Sequence, residues 1–343
     1  MVAGNGDNDG EAQRAVRPTL GPNEATIDRA LVGGLVPRRR LGAHKWGVGG
    51  LVVVAGAPGF AGAAVLCALA AGRNGAGIVN VALPRSLSAP VVMAVPEAAT
   101  VLLSDGEPRR SVEAIEEKLE QSAAILIGPG LSQDEAAGDL LAAIFGLEAA
   151  RSAIGFGFES GGLAASGDGG LLGRAGKPGV LDADALNWLA RQPDWPSLLP
   201  SGRAVVTPHV GELARLLAAS AAELIADPVR TTREAAKAWG QTVVFKHGYT
   251  AVSDGARTLV AEDAPLSLAT AGSGDVLAGA IAAYLAQGLA PMDAAALAVY
   301  VGMKAARRLE ERFGTLGVVA GDLPSAMAEV LASLEREGAE ESP

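Results

Sequence analysis

Between Ala269 and Gln287 the chain runs Ala-Thr-Ala-Gly-Ser-Gly-Asp-Val-Leu-Ala-Gly-Ala-Ile-Ala-Ala-Tyr-Leu-Ala-Gln. Gly272 and Gly274 carry no Cβ, so their N–H groups can approach a ligand closely. From Val276 onward, Leu277, Ala280, Ile281, Tyr284 and Leu285 recur at helical spacing. A glycine turn that feeds a helix N-terminus attracts anions, because unpaired N–H groups and the helix dipole both favour negative charge. Asp275 sits at that mouth. One role for it is a helix cap, which needs no flanking glycines. The other is chemical. Beside a phosphate cradle a carboxylate can take the proton from a hydroxyl that attacks phosphorus, a general-base role typically worth ~100- to 10,000-fold in rate. The glycine N–H groups would then hold the charge of the transferring phosphoryl group. The stretch is neither a Walker loop nor a dinucleotide fingerprint: no Gly-Lys-Ser/Thr follows, and the turn lies near the C-terminus.

Other candidate residues follow short apolar runs. Leu51 to Ala55 predicts a buried strand, Gly56 to Gly62 a loop, Ala63 to Ala71 a helix and Ile78 to Ala82 a second strand. Such a unit implies a right-handed crossover and parallel pairing, with ligands beyond the carboxyl ends of the strands. Ala124 to Ile127 is a strand ending in Gly128-Pro129-Gly130. Val180-Leu181 ends another, followed by Asp182, Asp184 and Asn187. These are either a polar turn and a helix cap, or groups sharing a role near phosphate or Mg²⁺. After the strand Ala204 to Val206 comes Thr207-Pro208-His209-Val210-Gly211-Glu212. Here Thr207 can cap a helix with Glu212 in its first turn, and His209 and Glu212 share a face. Thr242 to Phe245 leads into Lys246-His247-Gly248-Tyr249-Thr250, where Lys246 either neutralises phosphate or is a surface lysine. A hairpin around Ser253-Asp254-Gly255 joins Thr250–Val252 to Thr258–Val260.

The elements that must position these groups suit one α/β domain over residues 25–335, three layers α/β/α with a mostly parallel sheet. Further helices are expected over Ala25 to Leu35, Val112 to Gln121, Met292 to about Arg312 and Ala326 to Glu335. Residues 1–24 are expected to be a disordered tail, 336–343 an acidic tail, and glycine-dense Phe156 to Lys177 a surface loop or insertion. The 343 residues are rich in Ala, Gly, Val and Leu, poor in aromatics, and carry a formal charge of −10, which argues against nucleic acid as a partner. Cys67, the only cysteine, forms no intrachain disulfide and is expected to be buried and inert. The three histidines lack metal-site spacing. The charge-free run between Lys45 and Arg73 is broken by Gly56, Pro58, Gly59 and Gly62, so it predicts strand, loop and helix rather than a membrane span. The N-terminus lacks an apolar signal core, and the expected location is the cytoplasm.

Taken in order, the motifs carry a resemblance. They are His44-Lys45, Val54-Ala55-Gly56 with Gly62-Ala63, Gly75-Ala76-Gly77, Pro96-Glu97, Gly128-Pro129-Gly130, Val180 through Asn187, Thr207-Pro208-His209 with Gly211-Glu212, Lys246, and Ala271 through Gly279. From about Leu35 to Leu334 the chain resembles the ADP/ATP-dependent NAD(P)H-hydrate dehydratase family, of ribokinase-like fold. The resemblance implies repair of hydrated NADH or NADPH: the ring hydroxyl is phosphorylated by ADP (or ATP), and phosphate is then eliminated. It implies that Ala63, Gly130, His209 and Asp275 contact the hydrate. It implies that Lys246, His247, Gly248, Tyr249, Thr250 and Gly274 contact the adenine nucleotide. Mg²⁺ is expected, with Glu212 as an indirect ligand, as are a homo-tetramer and a separate epimerase, since few residues precede Leu35. The chain departs from the family in having His247 between Lys246 and Gly248, and in Trp46 and the long glycine-dense segment. Two rivals share the Gly-Ser-Gly-Asp mouth: a ribokinase-like kinase of a vitamin precursor, which would leave a stable phosphorylated product, and a nucleotide-binding scaffold without catalysis.

Overall fold

The computed structural model describes residues 17–39, 41–42, 44–149, 163–165 and 170–340. Its strands are β1 (Glu24–Ile27), β2 (Gly50–Val54), β3 (Ile78–Pro84), β4 (Ala99–Leu103), β5 (Ala124–Ile127), β6 (Leu147–Ala149), β7 (Leu163–Ala165), β8 (Gly179–Leu181), β9 (Ala204–Val206), β10 (Thr242–Phe245), β11 (Ala251–Ser253) and β12 (Thr258–Ala261). Ten of them form one sheet in the order β1-β12-β11-β10-β9-β8-β5-β2-β3-β4, and β6 and β7 form a separate antiparallel ribbon. Within the large sheet β11 alone runs against its neighbours, as the hairpin signal at Ser253-Asp254-Gly255 requires.

The layers follow from side-chain alternation along the strands. Leu51, Val53, Ala124 and Leu126 enter one apolar core, and Val52, Val54, Ile125 and Ile127 enter the other. Strands buried on both faces need helices on both faces. The helices Ala61–Arg73, Ser273–Ala286, Pro291–Phe313 and Leu323–Glu340 cover the first face, and Pro108–Glu120, Glu135–Ile144 and Pro228–Trp239 cover the second. The expected three-layer α/β/α architecture is therefore present. The charge-free run divides into β2 and the helix Ala61–Arg73, and among the described residues no helix is long and apolar enough to cross a membrane.

At Gly279 the helices Ala61–Arg73 and Ser273–Ala286 meet backbone to backbone: a Cβ there would lie 2.5 Å from the Cys67 carbonyl oxygen and 3.0 Å from its Cα. Alanine gains about 1 kcal/mol over glycine in intrinsic helix propensity, but these neighbours are main-chain atoms that cannot rotate away. Gly279→Ala is therefore expected to destabilise the protein by about 1–3 kcal/mol, the usual range for overpacking, as measured by urea denaturation.

The N-terminal region differs from expectation. In place of a helix from Ala25, Glu24–Ile27 is strand β1, the edge strand of the sheet, paired in parallel with β12. The helix is only Arg29–Gly33, started by Asp28, whose carboxylate accepts the Leu31 N–H at 2.9 Å. A four-residue strand has too little pattern to announce itself, and its partner lies more than two hundred residues away. Of the expected tail 1–24, residues 1–16 lie outside the described residues. The last helix runs to Glu340, into the expected acidic tail. In the glycine-dense segment from 156 to 177, residues 156–162 and 166–169 lie outside the described residues, while Gly170–Ala175 is helical with Leu171 and Leu172 buried.

Candidate active site

Because the strands on either side of β2 and β5 are reached in opposite directions, the carboxyl edge there is where an open parallel sheet forms a crevice. The loops after β2, β5, β8, β9 and β10 all open at that edge, and they carry Gly56, Gly130, Asp182, His209 and Lys246. Gly130 adopts φ +61°, and a Cβ on it would sit 2.7 Å from the Ala63 methyl, so Ala63 and Gly130 are in contact.

The mouth of the helix Ser273–Ala286 lies at the same edge. Gly272 occupies the N-cap position with φ +88°, a left-handed conformation that excludes most side chains. Asp275 is in the first turn and makes no capping bond, which removes the capping role. Ser273 N–H is held by the Thr270 carbonyl and Val276 N–H by Gly272, whereas among the described residues no acceptor is paired with the N–H groups of Gly274 and Asp275. A pair of free main-chain donors at a helix N-terminus is an anion site.

Lys246 stands against this mouth: a Cβ on Gly274 would lie 3.3 Å from its Nζ. The ammonium donates to Asp182 Oδ1 at 2.7 Å and lies 4.0 Å from Glu212 Oε2. Asp182 is buried, and its Oδ1 also accepts the Thr207 hydroxyl at 2.7 Å. Thr207 is thus spent on Asp182 and does not cap the helix Val210–Leu217. That cap is His209, whose Nδ1 accepts the N–H groups of Gly211 (2.9 Å) and Glu212 (3.4 Å), while Glu212 accepts the His209 N–H at 2.8 Å. Asp184 accepts the Ser132 N–H at 2.9 Å.

Electrostatics follow from this crowding. Burial pushes the Asp275 carboxyl up to about 7, helped by Asp182 and Asp184 and opposed by Lys246. Burial also pushes Glu212 up to about 7, against Lys246. For Lys246 burial works against the charge, but Asp182 and Glu212 outweigh it and its pKa is raised. Burial, Lys246 and Arg215 hold His209 below its ordinary value, so it favours the neutral ring. Cys67 is buried and donates its thiol to the Asp275 main-chain carbonyl at 3.4 Å; burial, with Asp275 and Asp182, raises its pKa and keeps it protonated.

A cavity of about 800 Å³ opens beside the mouth. All six residues expected to touch the nucleotide, Lys246, His247, Gly248, Tyr249, Thr250 and Gly274, line it. The inserted His247 stacks on Phe245 with ring centroids 5.9 Å apart. The remaining wall, including Asp263, Pro265, Leu266, Leu268, Met303 and Arg307, carried no sequence motif. Of the expected hydrate contacts, Ala63 and Gly130 touch each other, and Asp275 is tied to the helix that carries Ala63 through Cys67. His209 follows β9, two strands from β5 in the sheet order, and is bridged to Lys246.

A family model described as NAD(P)H-hydrate dehydratase matches residues 51–154 and 152–329. The chain belongs to this family. It is 32% identical over 287 residues to an ADP-dependent (S)-NAD(P)H-hydrate dehydratase of Neisseria meningitidis, covering 82% of this chain and 85% of that one. It is 35% identical over 309 residues to a bifunctional NAD(P)H-hydrate repair enzyme of Moorella thermoacetica, covering 88% of this chain and 53% of that one. The chain thus spans about half the length of the bifunctional relatives it matches. A solved ADP/ATP-dependent NAD(P)H-hydrate dehydratase of Bacillus subtilis, co-crystallised with ATP/Mg²⁺, superposes with a TM-score of 0.70 at 22% identity, covering 93% of this chain and 100% of that one. The dehydratase-family fold seen here is ribokinase-like.

Proposed function

We propose that this chain dehydrates (S)-NAD(P)H hydrate to NAD(P)H, with ADP (or ATP) as phosphoryl donor. The observation that carries the proposal is geometric: two free N–H groups at a helix mouth and the Lys246 ammonium stand together, Gly274 and Lys246 line a cavity of about 800 Å³, and the Asp275 carboxyl, pushed up to about 7 by burial, sits in the same helix turn. Asp275 takes the proton of the ring hydroxyl as that oxygen bonds to the terminal phosphorus of the donor, which leaves shorter by one phosphoryl group. The N–H groups of Gly274 and Asp275 and the ammonium of Lys246 face the charge that spreads over the phosphoryl oxygens. Phosphate then leaves with the electrons of the C–O bond far more readily than hydroxide would, and as a proton passes from the neighbouring carbon to solvent the C–H electrons restore the ring double bond. In this proposal Ala63, Gly130 and His209 bound the hydrate, and Lys246 through Thr250 with Gly274 bound the nucleotide.

Among the described residues no three His, Cys, Asp or Glu side chains are gathered to hold a metal. That fits Mg²⁺ arriving on the nucleotide, since Mg²⁺ commonly keeps its waters and binds through phosphates with one or two carboxylates. Glu212, buried beside Lys246, is the residue proposed to hold it through water. When bound, Mg²⁺ neutralises phosphate charge. A cytoplasmic homo-oligomer that shares its substrate pool with an epimerase belongs to the same proposal, and light scattering tests the assembly.

A base that must be ionised gives the pH dependence its sign. With Asp275 near 7, kcat/KM for the hydrate is expected to rise with pH and reach half its plateau near pH 7. A rate–pH profile flat between pH 5 and 8 would remove Asp275 as the base. Mass spectrometry separates the kinase alternative: dehydration releases inorganic phosphate together with NAD(P)H, whereas a kinase accumulates a phosphorylated product.

A further inference from the structure

Arg307 belongs to none of the motifs above, yet it lines the same cavity. It lies on the helix Pro291–Phe313, which also supplies Val299, Gly302 and Met303 to the wall. The facing segment is the strap 262–268 that follows β12, whose regular structure is a three-residue 3₁₀ turn, Leu266–Leu268. Charged groups on the helix fix its position. Arg307 donates Nε and Nη2 to the two oxygens of Asp263 at 2.5 and 2.6 Å, and Nη1 to Glu310 at 2.5 Å. Glu310 in turn accepts the Ser267 N–H at 2.9 Å, and Lys304 pairs with Glu262.

Isolated surface ion pairs contribute little, but a forked guanidinium–carboxylate pair within a network is the arrangement that does constrain geometry. The Arg307 hydrogen bond holds the Asp263 carboxyl below its ordinary pKa, as expected for a persistent partner. Leu266 stands 71% exposed on this strap, an apolar side chain offered to the cavity with no cover from the protein. A planar aromatic base is the part of a nucleotide that such a group covers.

We propose that Arg307 is a positioning residue for the adenine nucleotide: by forking onto Asp263 it fixes the strap that walls the cavity, and so sets affinity for ADP without touching the reacting atoms. The proposal rests on the cavity being the nucleotide site. Arg307→Lys keeps the charge but cannot reproduce the fork. Asp263→Asn breaks the same contact from the other side, with little change in volume.

Calorimetric titration with ADP, alongside steady-state kinetics with the hydrate, tests this on the full chain. Arg307→Ala is expected to raise both the Kd and the KM for ADP by about 10-fold or more, with kcat and the KM for hydrate within about twofold. Arg307→Lys should recover only part of the loss, and Asp263→Asn should weaken ADP binding in the same direction. Unchanged ADP binding in all three variants, or a fall in kcat with the KM for ADP unchanged, overturns the proposal while leaving the nucleotide site in place. Absence of ADP binding by the wild-type protein removes the nucleotide reading itself, and this proposal with it.

Discussion

Replacing Asp275 with asparagine is expected to lower turnover by about 100-fold or more while ADP binding stays within a few fold. Asparagine has nearly the same shape, and no backbone N–H among the described residues is bonded to the Asp275 carboxylate, so the hydrogen bonds at the start of the helix Ser273–Ala286 are unchanged. What disappears is the carboxylate proposed to accept the proton of the attacking hydroxyl; Asp182 is engaged by Lys246 and Thr207, and Glu212 by the His209 N–H. The free N–H groups, Lys246 and the cavity wall remain, and these are the groups proposed to bind the nucleotide. A second consequence separates chemistry from folding. The folded-state pKa of Asp275, about 7, lies above its ordinary value of 3.8. Between those values the folded protein binds more protons than the unfolded chain, so stability falls as pH rises through this window. Removing the charge removes that loss, and above pH 7 the variant should be at least as stable as the wild type. A variant that is inactive because it is unfolded would contradict this, as would one that keeps full turnover.

Lys246→Met should be the most destabilising single change at the site. Its ammonium is the cation bonded to Asp182, a carboxylate with 2% of its side chain exposed. Truncating one partner of a buried pair strands the other charge, at a cost of about 3–5 kcal/mol. Thr207 still donates to Asp182, but a hydroxyl cannot neutralise it. The double change Asp182→Asn with Lys246→Met should therefore recover most of the loss, and a double-mutant cycle in urea measures the coupling. Activity should not return with stability, because the cation proposed to face the phosphoryl group is still missing. If Lys246→Met alone were as stable as the wild type, the pair would be a solvated surface contact and the electrostatic account of Asp275 would weaken with it.

What could be read from the residues and what could not divides along physical lines. The buried strands declare themselves because a sheet covered on both faces needs uninterrupted apolar runs, as at Leu51 to Val54 and Ala124 to Ile127. The mouth at Gly272 to Asp275 is legible because its conformation and its chemistry are encoded locally. Strand β1 is not, because its existence depends on an edge supplied by β12. Nor is the cap of the helix Val210–Leu217: histidine is not among the favoured capping residues, and Thr207, which is, donates instead to an aspartate twenty-five positions earlier. Asp182 as the hub for Lys246, and Arg307 as the anchor of Asp263, are contacts between residues 64 and 44 positions apart. Such pairs exist only once the sheet order has brought their loops together.

The most direct measurement is repair itself. Purified protein is mixed with Mg²⁺, the S form of the hydrate and either ADP or ATP, and the near-ultraviolet absorbance of the restored dihydropyridine is followed. Absorbance should recover with at least one nucleotide, with one phosphate released per NAD(P)H formed, and should fail with Asp275→Asn. No recovery with either nucleotide from a folded protein, or an equal rate in the Asp275→Asn variant, would contradict the role assigned to that carboxylate.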